Sequence, residues 1–99
     1  MPLQFRREDR GRVASGEITV TYRLWKTAQV KAGKTYATPA GIAFIDGVEL
    51  LPAAALESDD LSRTGFRSVE EVWRLAGEHT GSVVGPDTLL HRIEFHLLP

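Results

Sequence analysis

The chain alternates apolar and polar residues in several short runs, the pattern of strands rather than of a helical bundle. In SGEITVTYRLWKT, residues 15–27, Ile18, Val20, Tyr22 and Leu24 form one row and Thr19, Thr21, Arg23 and Trp25 the other. The first row is an ordinary core face and predicts a strand over 18–25. The second mixes two hydroxyls, a guanidinium and an indole, which is more than a solvated face requires.

Similar alternation predicts further strands near 34–38, over 42–51 with a bulge or bend at Gly47, and over 89–98. LQF, residues 3–5, reads as a short first strand. REDRGRVAS is a weak helix interrupted by Gly11 and ended at Gly16. Pro52 stops the strand over 42–51. Ser58 caps a helical turn, DDLSRT, which Gly65 terminates. Ser68 and Glu71 have capping-box spacing and open a helix to about Gly77, with Val69, Val72, Trp73 and Ala76 on one stripe against the sheet. Strands that are not each followed by a crossover helix exclude a doubly wound sheet. The expected fold is mainly β with helices (α+β), a small, mostly antiparallel barrel with one or two short helices beside a cleft, as a single domain across 1–99.

Composition changes this picture little. The chain is 42% hydrophobic and 25% charged, ordinary globular values, and has no cysteine for a disulfide, thiolate zinc site or thiol nucleophile. No apolar run approaches a membrane span, and MPLQFRREDR lacks the apolar stretch of a signal peptide, so a cytoplasmic location is expected. The charge distribution says more. Residues 1–34 carry eight Lys/Arg against three Asp/Glu, whereas residues 35–99 carry four against ten. Either the N-terminal part meets an anionic partner or the two parts cancel by packing together. A pI near 6.3 argues against a non-specific nucleic-acid binder.

The candidate chemistry concentrates on the second row. Arg23 can fork onto a phosphate or base edge, or bridge to a helix acid such as Glu71. Trp25 can stack on a base or pack at the strand's end. Lys26, Lys31 and Lys34 are either phosphate contacts or plain solvated lysines. Glu71 is a helix cap or a catalytic acid. His91 and His96 lie on opposite strand faces and His79 at a helix end, so the three histidines form no metal set, and no metal or cofactor is expected.

GEITVTYR (16–23) with LWK, VKAGK (30–34), the VELLPAAAL, DDLSRTGF and EEVWRL segments and the closing DTLLHRIEF resemble the ASCH domain, a branch of the PUA-like superfamily. The resemblance covers nearly the whole chain. It implies a small PUA-like β-barrel that binds RNA or a nucleotide. A subset of the family resembles bacterial amidohydrolases that remove acyl groups from N4-acylated cytidines. Of the signature G-x-K-x-x-E/T-x-R, Gly16 and Arg23 match, Thr21 matches the hydroxyl-bearing version, and Ile18 occupies the lysine position. The subset's acid falls at Glu71 or the adjacent Glu70.

A threonine nucleophile needs a base, and isoleucine supplies none. The resemblance together with Ile18 therefore favours a binding protein, with Thr19, Thr21, Arg23, Trp25, Lys26 and Lys34 as ligand contacts. The alternative is an amidohydrolase or ribonuclease using Thr21 and Glu71 with Lys26 or Lys34 recruited as base. A third reading is an interaction module in which the row merely packs.

Overall fold

The two longest alternating runs pair with each other and form the middle of a sheet. In a computed structural model, describing residues 3–78 and 81–99, β1 (Val20–Arg23), β2 (Thr35–Thr38), β3 (Gly41–Pro52) and β4 (Leu89–Leu97) make one antiparallel sheet in the order β1-β4-β3-β2. The β3–β4 register slips between Ile45 and Gly47, the bulge anticipated at that glycine, and a bulge increases local twist and bend. The sheet curls into a half-barrel, and β1 and β2 remain its two open edges. With three short helices the fold is α+β, as the pattern predicts.

The helices sit close to their expected places. A 3-10 turn at Arg7–Asp9 leads into α1 (Arg10–Ala14), and Gly16 follows with φ +85°. α2 (Ser58–Thr64) starts after Glu57, so Ser58 is its first residue rather than its cap, and it ends at left-handed Gly65. The φ of +82° at Gly65 favours glycine, and a Cβ there would also fall 2.7 Å from Ile18 Cδ1, which would have to shift. α3 (Val69–Glu78) begins as anticipated, with the Glu71 N–H donating to Ser68 Oγ at 3.2 Å. The helix end assigned to His79 lies outside the described residues.

Two expectations change. Residues 3–6 join no strand; Leu3 and Phe5 are buried as cover on the sheet. Three residues are too few for alternation to separate a strand from an extended covering segment. β1 is also shorter than 18–25, and at its start the main chain bonds elsewhere. The Ile18 N–H donates to the Arg12 carbonyl and the Thr19 N–H to the Arg63 carbonyl.

Both faces of the sheet are covered. On one face Ile45, Ile93 and Phe95 pack with Leu3, Phe5, Val13 and Val30. On the other Val20, Tyr22 and Leu90 pack with Ala53 and with Val72 and Ala76 of α3. Ile18, beyond the start of β1, joins the first cluster rather than the second, so its row is split between two cores.

Ion pairs fasten α2 to the second face. Arg92 of β4 is buried and donates from Nε and Nη2 to the two oxygens of Asp60, both at 2.8 Å. The Tyr22 hydroxyl donates to Asp60 Oδ2 at 3.1 Å, and Arg63 lies 3.0 Å from Glu94. The Arg92 hydrogen bonds draw the Asp60 carboxyl below the usual carboxylate range, and Arg63 does the same for Glu94. Burial, then the Asp60 charge, pushes the Tyr22 phenol up to about 12.

Candidate functional site: a cleft at the open edge of β1

Between the two covering layers, at the edge of β1 that no strand among the described residues occupies, lies a cleft of about 490 Å³. Phe5 and Trp25 border it from the first face, and Val72, Leu75 and Ala76 of α3 with Phe66 from the second. Thr21, Arg23, Gln4, Gln29 and Thr64 add polar groups to its wall. The volume falls within the range of small-molecule sites.

Of the row singled out in the sequence, Thr21, Arg23 and Trp25 line this cleft. Thr19 does not. It precedes β1, and its hydroxyl accepts a 2.9 Å bond from Arg63 Nε. Lys26 and Lys34 are exposed and, like Glu71, stand outside the lining. Phe66, Gln29 and Thr64 are contributors that sequence reasoning missed, since none shares a pattern with the row. Phe5 was read only as a strand residue.

Arg23 is the electrostatic centre of the cleft. Its Nε donates to Thr21 Oγ1 at 3.1 Å and its Nη2 to the Gln4 carbonyl at 2.6 Å, and its guanidinium carbon lies 5.5 Å from the Phe5 ring centre. Among the described residues it forms no ion pair, so the bridge to Glu71 is not made. Both of its polar partners are neutral. Crowding by protein atoms without an acid lowers its pKa to about 10, which leaves it charged at neutral pH.

The other arginine of the wall differs. Arg6 bonds Asp9 from Nε at 2.8 Å and lies 3.3 Å from Glu8, so its charge is already met. It also sits 5.0 Å from the centre of the Phe66 ring, linking the N-terminal segment to the α2–α3 connection.

Trp25 leans on His91 of β4, with ring centroids 5.9 Å apart. The His91 ring is buried, Nδ1 has no partner among the described residues, and burial lowers its pKa. His91 therefore favours the neutral form beneath the indole. His96, on the opposite face, meets Asp46 through Nδ1 at 2.8 Å. Among the described residues no group of three or more His, Asp or Glu is placed to hold a metal, and no helix is long and apolar enough to cross a membrane.

No family model and no curated protein matches the sequence. Solved structures do match in fold. Protein EF3133 of Enterococcus faecalis V583, of the family DUF984, superposes with a TM-score of 0.73 at 16% identity over 92% of this chain and 67% of its own. The hypothetical protein PH0355 gives 0.72 at 17% identity, over 96% and 95%. An ASCH domain of Lactobacillus crispatus JV V101 gives 0.67 at 16% identity, over 88% and 68%. The fold is thus ASCH-like, as the resemblance in sequence implies.

Proposed function

We propose that the cleft beside β1 binds a nucleotide, free or as one unit of an RNA. The observation that carries this reading is Arg23, a crowded guanidinium with no acid partner among the described residues, held by the Thr21 hydroxyl and over the Phe5 ring in a largely apolar cleft that Trp25 also lines. A cation in such a place gains most from a ligand that brings an anion or a base edge, because its fork then replaces lost hydration with charge-assisted bonds. Trp25 offers a face for stacking, which contributes roughly 1–3 kcal/mol per base in single-strand binders. Thr21 adds a hydroxyl contact.

The reading favours a single nucleotide over a tracked strand. Lys26 and Lys34 stand outside the cleft lining, and the Arg6 charge is met by Asp9 and Glu8. That leaves one cation to meet a phosphate. The amidohydrolase alternative gains no such support. Thr21 Oγ1 is held by Arg23, and neither Glu71 nor a lysine joins the lining.

Equilibrium titration with nucleoside 5′-monophosphates and short RNAs tests the proposal. Saturable one-to-one binding of a monophosphate is expected. For the short RNAs, the logarithm of the association constant should fall with log salt at a slope of about −0.7, the value for one single-strand phosphate contact. Binding by neither class of ligand removes the proposal.

A further inference from the structure

The cleft wraps an open sheet edge, so main-chain groups as well as side chains face it. Antiparallel pairing alternates, and the residues of a strand point their N–H and C=O groups in turn toward and away from the partner. The Phe95 N–H donates to the Thr19 carbonyl at 2.9 Å, and the register pairs Thr21 with Ile93 and Arg23 with His91. Thr21 and Arg23 thus direct their main chain at β4. Val20 and Tyr22, between them, direct theirs at the open edge.

Val20 and Tyr22 both border the cleft, but Val20 is 0% exposed whereas Tyr22 retains 6%. The start of the edge is closed, because the Ile18 N–H is already bonded to the Arg12 carbonyl. The opening at Tyr22 therefore offers about one residue's donor and acceptor side by side. An added peptide strand needs a longer edge, with several alternating residues. A planar heterocycle does not.

From this geometry we infer that the main-chain N–H and C=O of Tyr22 read the hydrogen-bonding edge of the bound base. The inference rests on the nucleotide reading of the same cleft. The ligand class it names is a heterocycle with a donor and an acceptor on adjacent edge atoms. Such a ring extends the plane of the sheet, and its faces meet Trp25 and Phe5 on one side and Val72 and Ala76 on the other. The Tyr22 ring is anchored away from this contact through its hydroxyl on Asp60, which holds the backbone in place.

A panel of monophosphates tests this on the wild-type protein, pairing each parent with an edge-blocked analogue. The pairs are AMP with N6,N6-dimethyl-AMP, CMP with N4,N4-dimethyl-CMP, and UMP with N3-methyl-UMP. 5-Methyl-CMP controls for added bulk away from the edge. For the parent that binds best, blocking should weaken affinity at least about ten-fold, while the bulk control stays close to its parent. The Tyr22 amide resonance should shift with the parent and not with its blocked partner. Equal affinity of parent and blocked analogue overturns the main-chain contact and leaves the nucleotide reading standing. Binding of neither a monophosphate nor a short RNA removes both.

Discussion

Replacing Asp60 by alanine is expected to cost about 3 kcal/mol of folding stability, the lower end of the range for breaking a buried ion pair. The reason is the state in which Arg92 is left. Its side chain is buried in β4 under α2, and two of its best hydrogen bonds end on Asp60. Glu94 at 3.2 Å and Glu49 at 3.5 Å remain, so the charge is not wholly abandoned and the loss stays moderate. For a domain of this size, that loss lowers Tm by roughly 12–24 °C. The double variant Asp60→Leu/Arg92→Met should recover most of it, because the cost lies in an unpaired charge rather than in missing bulk. Thermal and urea unfolding of the three proteins measure this. A Tm within a few degrees of wild type for Asp60→Ala would show that the network does not fasten α2.

The same network predicts an acid limit. Asp60 and Glu94 have carboxyls held below their unfolded values by Arg92 and Arg63. Their stabilisation is therefore complete above the unfolded pKa of about 4 and disappears as pH falls through the lower folded values. Wild-type stability should drop from about pH 4 downward. The Asp60→Ala variant should show a flatter profile there, having lost one of the two contributors.

Arg23→Ala should weaken nucleotide binding roughly ten- to a hundred-fold, the value of hydrogen bonds to a charged group. Stability should hardly move. The substitution removes bonds to Gln4 and Thr21, yet it also relieves a crowded cation that no acid among the described residues compensates. This separation of binding from folding distinguishes Arg23 from Arg92, whose loss of partners is felt in the fold. Arg23→Lys should be intermediate, since a point charge keeps the attraction and loses the fork. Unchanged affinity in Arg23→Ala would remove the assignment of this residue.

Much of the fold was legible because its local signals agree. Gly47 marked the bulge in β3, Gly65 the end of α2, and Ser68 the start of α3, each through chemistry within a few residues. What escaped depends on contacts distant in sequence. The Arg92–Asp60 pair spans 32 positions, and nothing near either residue announces it. Phe66 and Gln29 reach the cleft from separate connections, so no periodicity links them to Arg23. The row itself was only partly legible. Alternation assumes a regular strand from residue 18, but bonds to Arg12 and Arg63 occupy the main chain there and send Thr19 to Arg63 instead of the cleft. The open edge was hidden too, because strand order is set by pairing that alternation does not encode.

The most direct measurement is a nitrogen–proton correlation spectrum of the two indole groups during titration with a monophosphate. The chain has only Trp25 and Trp73. Trp25 lines the cleft, whereas Trp73 donates its N–H to the Ala53 carbonyl at 3.2 Å and stands outside the lining. Saturable movement of the Trp25 indole signal, with that of Trp73 fixed, is the predicted result. Two unmoved signals at saturating nucleotide, or movement of Trp73 alone, would contradict a nucleotide site beside β1.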